Sequence, residues 1–185
     1  WLDLGNNKDF YLPRVQWQRD SQNLTYQWQS RDQKQLVLRN YNLDSRKTSV
    51  VITETANTWL NLHSDLYFLD DDAHFVWASE RDGFKHLYLY KNTGELVQQI
   101  TKGQWVVDQV EAIDNSTKRI YFTGRKDTPL EKHLYQVGFD GKNIQKVSQR
   151  QGFHSVSFGK DASVYVDNFS TINTPPQVSL HSSDG

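Results

Sequence analysis

The chain contains no cysteine, which excludes a disulfide framework, a thiolate metal centre and a thiol nucleophile, and leaves the redox compartment open. It has no methionine either, so no initiator residue opens it, and we expect an internal segment or a processed product. Long apolar runs are missing. None is long enough for a transmembrane helix or for the apolar part of a signal peptide. Neither sign of charge dominates: 21 Lys and Arg stand against 22 Asp and Glu, interspersed, for a formal net charge of −1. That balance argues against nucleic acid or an anionic membrane as partner. No long segment carries a 3.6-residue apolar period, which excludes a helical repeat or bundle.

What the chain has instead is aromatic residues, six Trp with nine each of Tyr and Phe among 185 residues, as expected where strands dominate and sheets stack. The stretch His74 to Lys91 reads as a hairpin. Phe75, Val76, Trp77 and Ala78 form one run, and Leu87, Tyr88, Leu89 and Tyr90 the other. Ser79 to Gly83 supply the turn, with Gly83 free to take a positive φ. Both runs are apolar on consecutive residues, so both faces of this sheet should be covered.

The pattern recurs. Ile120 to Phe122 and the triplet His133-Leu134-Tyr135 repeat it 47 residues after His86, Leu24 to Trp28 with Leu36 to Leu38 precede it, and Ala162 to Val166 with Val178 and Leu180 follow. Periods of about 40 to 50 residues with several strands per unit are the signature of a β-propeller with four-stranded blades. We therefore expect an all-β propeller segment of antiparallel blades, three full and one incomplete, at about 11–55, 64–101, 105–149 and 152–185. Trp1 to Tyr11 reads as a loop or entering strand with a turn at Gly5, Asn6 and Asn7. Pro13 should open the first blade. Pro175 and Pro176 should interrupt the last.

Little in the chain suggests chemistry. No Gly-x-Ser-x-Gly elbow and no phosphate-cradling glycine loop occurs, and no histidine stands in a His-x-x-x-His or His-Glu-x-x-His arrangement. Asp70, Asp71 and Asp72 could hold Ca²⁺ only if the backbone wrapped the ion. Without Asp-x-Asp-x-Asp-Gly spacing they read as a solvated turn. His86 and His133 recur at one position of the repeat, which favours a structural role such as donating to a neighbouring loop. His154 precedes Ser155, but adjacent strand residues point to opposite faces and cannot act as base and nucleophile. We expect no catalytic residue, no metal and no cofactor in this chain.

The motifs WASERDGFKHLYLY (77–90), GQWVVDQVEAID (103–114), YFTGRKDTPLEKHLYQV (121–137) and FHSVSFGKDASVYVDNFSTINTPPQVSLHSSDG (153–185) resemble consecutive blades of the dipeptidyl peptidase IV family, in the prolyl oligopeptidase clan. The similarity is nearest to its bacterial and dipeptidyl peptidase 8/9-like branches. The resemblance implies the later blades of an eight-bladed propeller that precedes an α/β-hydrolase domain. That domain would carry the serine, aspartate and histidine that release N-terminal dipeptides with Pro or Ala second. The family's paired glutamates, which anchor the substrate amino terminus, have no counterpart here: Glu54, Glu80, Glu95, Glu111 and Glu131 are all isolated. One loop, with Trp59, Asn61 and His63, falls where relatives reach toward a substrate subsite, although the aromatic and arginine pair of some members is missing. The resemblance further implies a peptide substrate met through the hydrolase domain, a homo-oligomer, and a periplasmic or secreted location, with the cytoplasm as the alternative. Another reading is a stand-alone binding propeller of the periplasmic translocation-accessory type. Self-association through uncovered blade faces is expected of the isolated chain.

Overall fold

The computed structural model describes residues 2, 4 and 9–183, and among them it shows strands and turns without a helix. The turn expected at Gly5, Asn6 and Asn7 lies outside the described residues. Among the described residues fifteen strands form four antiparallel sheets, each built from strands consecutive in the chain. The first holds β1 (Phe10–Trp17), β2 (Asn23–Ser30), β3 (Gln35–Asn42) and β4 (Lys47–Thr55). The second holds β5 (Leu66–Phe68), β6 (His74–Ser79), β7 (His86–Lys91) and β8 (Leu96–Gln99). The third holds β9 (Val107–Asp114), β10 (Arg119–Gly124), β11 (His133–Gly138) and β12 (Gln145–Lys146), and the fourth β13 (Phe153–Phe158), β14 (Val164–Thr171) and β15 (Thr174–Ser182). The chain divides into two compact units, residues 1–77 with 90–97 and residues 78–89 with 98–185, and the division falls within the second sheet.

In the first unit, β1 begins at Phe10, three residues before the expected start. Pro13 sits where the β1–β2 register shifts between Tyr11 and Arg14. A proline at a bulge on an edge strand loses no ladder bond, so the strand runs through it. Tyr26, Leu36, Leu38, Ile52, Leu66, Phe75 and Trp77 are buried. The Phe75 and Tyr90 rings stack 5.5 Å apart at 10°. Gly94 turns β7 into β8 at a φ of 92°, and a Cβ there would collide with the Val51 carbonyl.

In the second unit the consecutive apolar runs are buried as expected: Ile120, Tyr121 and Phe122 on β10 are all below 3 % exposure. Gly83 takes its positive φ, 96°. Trp105 stacks on Phe122 and Phe122 on Tyr135, at 6.0 and 5.6 Å. A second cluster joins Tyr121, Leu134 and Val147 to Val156, Ala162 and Tyr165. Two expectations fail in the fourth sheet. Ala162 lies in a left-handed turn at a φ of 58°, not in a strand, and its methyl fills the cluster from there. Nor do Pro175 and Pro176 interrupt β15, because an outermost strand can spare their missing N–H groups.

One device opens the first hairpin of every sheet. Asp20, Asp71, Asp114 and Asp161 each accept backbone N–H groups two or three residues on, from Gln22 and Asn23, Ala73 and His74, Ser116 and Thr117, and Ser163. For Asp20, Asp71 and Asp114 partial burial raises the carboxyl, but the combined donors outweigh it and hold the group below the ordinary 3.8. For Asp161 the Ser163 hydroxyl and N–H do the same. A folded value below the unfolded one stabilises the fold above about pH 4 and is lost as pH falls through the folded values. The melting temperature should therefore hold from neutral pH to about 5 and drop below about 4. A chain carrying Asn at all four positions should show a flatter acid limb in a calorimetric series. An unchanged limb would refute the linkage.

Candidate functional site

The loop singled out in the sequence is held by the β2–β3 turn. The N–H groups of Ala56 and Leu60 donate to the carbonyls of Lys34 and Gln33 at 2.9 and 2.8 Å. The Gln29 side chain donates to the Leu60 carbonyl at 3.0 Å. The backbone on either side of Trp59 is thus fixed while its indole stays outside, 62 % exposed. Asn61 is exposed as well. His63 turns inward and sets its ring against Trp77 at 4.6 Å and 63°, and the Trp77 indole donates to Glu54 at 3.0 Å. The Ser64 hydroxyl accepts from Arg14 Nε at 3.1 Å. Arg14, Gln16, Thr25, Gln27, Ser64 and Leu66 line a cleft of about 350 Å³. The loop can offer a partner an aromatic plane and an amide, whereas its imidazole is engaged in packing.

The three aspartates between β5 and β6 divide their work. Asp70 and Asp72 pair with Arg19, while Asp71 caps the turn and meets His74 Nδ1 at 2.6 Å. These contacts are those of a turn braced against its neighbour.

Three histidines occupy the strand junctions of the second unit. On β7, His86 Nδ1 meets the Thr101 hydroxyl at 3.0 Å and Nε2 the Gly103 carbonyl at 2.9 Å. A carbonyl only accepts, so Nε2 carries the proton and the hydroxyl donates to Nδ1. The same hydroxyl oxygen accepts the Leu87 N–H at 3.0 Å. On β11, His133 Nδ1 meets the Ser148 hydroxyl at 2.9 Å, Ser148 Oγ accepts the Leu134 N–H at 3.1 Å, and Nε2 meets Glu131 at 2.9 Å. Ser148, His133 and Glu131 thus stand in the sequence of a nucleophile, base and orienting carboxylate. The serine is only 4 % exposed and its oxygen is engaged by backbone, and Thr101 does identical work on β7. Both are clasps that close the outer strand onto the third, the role the sequence suggested for these two histidines.

On β13, His154 is 2 % exposed while Ser155 faces out, as strand alternation required. Its Nδ1 meets Asp167 at 2.7 Å and its Nε2 the Arg150 carbonyl at 2.8 Å. The His133 and His154 rings lie 5.2 Å apart, beside the bridge in which Lys132 N–H donates to Gly152 and His154 N–H to Lys132. Sequence reasoning missed Asp167 and the two hydroxyls. The signals were present: Thr101 and Ser148 each follow their histidine by 15 residues, and Asp167 alternates with Tyr165 and Phe169 on the buried side of β14. Nearby, burial and then the Asp127 charge push the Tyr135 phenol up to about 12. Asp127 itself is drawn down by the hydrogen bond from Lys146, which outweighs its partial burial.

Comparison with known proteins fits this arrangement. Residues 1–176 match the family model of the dipeptidyl peptidase IV (DPP IV) N-terminal region. A dipeptidyl peptidase 4 of Arthroderma otae is 33 % identical over 138 residues, covering 71 % of this chain and 18 % of the relative. A dipeptidyl peptidase 8 of Mus musculus is 28 % identical over 170 residues, covering 75 % and 19 %. Among solved structures, the dipeptidyl peptidase 4 of Porphyromonas gingivalis superposes with a TM-score of 0.91 at 24 % identity, over 100 % of this chain and 26 % of that one. A putative dipeptidyl aminopeptidase IV from Bacteroides ovatus gives 0.86 at 23 % identity, over 99 % and 29 %. The fold is a segment of a β-propeller, and the chain spans less than a third of the length of these relatives.

Proposed function

The chain belongs to the dipeptidyl peptidase IV family, as part of its N-terminal propeller region, and we propose that it is the non-catalytic wall of a serine exopeptidase. That enzyme would release N-terminal dipeptides with Pro or Ala second, and the wall would gate access to a hydrolase domain. Each sheet would be one blade, at about 11–55, 64–101, 105–149 and 152–185. The observation that carries the reading is how His86, His133 and His154 are used. Each engages both ring nitrogens with residues at the strand junctions, so they brace blades and are not placed to act on a peptide. Trp59 and Asn61 would contact the substrate, with His63 and Trp77 as their support. The homo-oligomer and the periplasmic or secreted location belong to the same proposal.

The test is an assay with a chromogenic Xaa-Pro substrate. The chain alone should give no turnover, and the longer natural polypeptide should. In that polypeptide Trp59→Ala should raise KM by about threefold to tenfold with little change in kcat, the effect of removing binding made equally in ground and transition states. An unchanged KM would remove the loop from the proposal, and turnover by the chain alone would overturn the non-catalytic role.

A further inference from the structure

Strand β2 buries both of its faces, and one of them is polar. Tyr26 on one side and Thr25, Gln27 and Gln29 on the other are each no more than 2 % exposed. A polar side chain this deep needs a hydrogen-bond partner. Thr25 Oγ1 accepts from Gln18 Nε2 at 3.0 Å, and Gln29 Nε2 donates to the Leu60 carbonyl at 3.0 Å. Gln27 lies between these two on the same face, and its buried Oε1 has no partner among the described residues.

The register explains what Gln27 faces. It stands opposite Arg14 on β1 and Leu38 on β3, and Thr25 stands opposite Gln16. Directly opposed residues, and residues two apart on a strand, share a face of the sheet. Arg14, Gln16, Thr25 and Gln27 therefore form a polar wall of the cleft of about 350 Å³, which Ser64 and Leu66 of the same unit help to complete. Arg14 Nε donates to Ser64 Oγ at 3.1 Å. That bond orients the guanidinium and leaves its two Nη groups for another partner. No Asp or Glu lines the cleft, so its fixed charge is that of one arginine, which does not titrate in a protein.

We propose that this cleft binds a small carboxylate that carries an amide N–H beside it, the chemistry of a peptide's C-terminal residue. The Nη groups of Arg14 take the carboxylate as a fork, and Gln27 Oε1 accepts the N–H. Each group then gains what the fold alone does not give it: the guanidinium an anion, the buried amide oxygen a donor. A phosphate fits less well. The cleft offers one cation and neither a lysine nor a glycine loop of backbone N–H groups, and the Gln27 oxygen would repel another anionic oxygen. The volume lies toward the lower end of ligand pockets, about 300–1,000 Å³, which suits a ligand of roughly one or two residues. The inference does not depend on the peptidase reading, because binding here involves no hydrolysis.

The test is a calorimetric titration of the longer natural polypeptide with N-acetylglycine, whose blocked amine does not imitate the free amino terminus of a dipeptide. A dissociation constant of about 1 mM is expected for so small a ligand. N-acetylglycinamide, which keeps the N–H and loses the charge, should bind at least about tenfold more weakly. Arg14→Leu should weaken N-acetylglycine by about tenfold or more, and Arg14→Lys by about threefold, since the charge stays and the fork goes. Gln27→Leu should weaken it by about fivefold while the melting temperature holds or rises, because an unpaired buried amide gives way to an apolar side chain. An amide needed only for folding would do the reverse, lowering the melting temperature at unchanged affinity, and that result would overturn the assignment. So would the absence of binding at about 20 mM, equal affinity for the two probes, or binding of inorganic phosphate where N-acetylglycine does not bind. If Arg14→Leu fails to fold, the ratio between the two probes and the Gln27→Leu result decide.

Discussion

Replacing Phe122 by Ala should lower the unfolding free energy by about 3–5 kcal/mol, one of the two largest losses expected from a single change in this chain. The ring is wholly buried and packs against both Trp105 and Tyr135, at 17° and 20° to their planes, while those two rings also meet each other 6.4 Å apart, so the three form a triangle. Deleting it forfeits the burial of one aromatic side chain and two stacked contacts of about 0.5–1.5 kcal/mol each, and leaves a cavity at one corner of the three-ring cluster. Against a typical domain stability of about 5–15 kcal/mol, the variant should show a much lower urea midpoint. Phe122→Leu should lose less because it fills part of the volume. A second readout is local: the Tyr135 phenol is raised to about 12 first by burial, so water entering the cavity should let it titrate at lower pH. A loss below about 1 kcal/mol, with Tyr135 unmoved, would show that the three-ring cluster is not what holds this sheet.

Burial of this kind explains how much of the fold was legible. Phe75 to Ala78 and Leu87 to Tyr90 are apolar on consecutive residues because both faces of their strands are buried, and burial on two faces leaves no alternation to misread. The period of the hairpins marked the sheets for the same reason. Prolines misled at both ends. Pro13 reads as the opening of a strand and the Pro175-Pro176 pair as a break, yet each sits within a strand at the edge of its sheet, and edge position follows from partners far along the chain. Ala162 looked like strand because its methyl belongs to the core, although its backbone is a turn. The candidate loop was legible only as a place. Which of its side chains face out depends on Lys34, Gln33 and Gln29, residues in another hairpin. The histidine clasps were legible as a repeat but not as chemistry, because Thr101 and Ser148 look like ordinary strand-end hydroxyls until the strand folds back.

Asp167→Ala should cost about 3–5 kcal/mol, the usual price of removing one member of a buried, hydrogen-bonded charge pair. His154 has an acceptor on each side, Asp167 Oδ2 at 2.7 Å and the Arg150 carbonyl at 2.8 Å, so the paired ring is held between them. Around it stand the His133 ring at 5.2 Å and the Phe169 ring at 5.0 Å, and neither can replace the carboxylate toward Nδ1. Ala at 167 would leave that nitrogen facing apolar wall in a site that is 2 % exposed. Asp167→Asn keeps an acceptor at nearly the same place and should lose only about 1–2 kcal/mol. Replacing both partners by Leu should recover much of the alanine loss, since a shape-filling apolar pair has no desolvated charge to satisfy. Tyr165 supplies an independent check. Its phenol is raised by burial and then by the Asp167 charge, so Asp167→Ala should bring its titration partway back toward the ordinary value of 10.0. Urea midpoints for the three variants measure the pair directly. Equal losses for Ala and Asn, or a double Leu variant weaker than Ala alone, would mean that packing at position 167, and not the link to His154, holds β13 to β14.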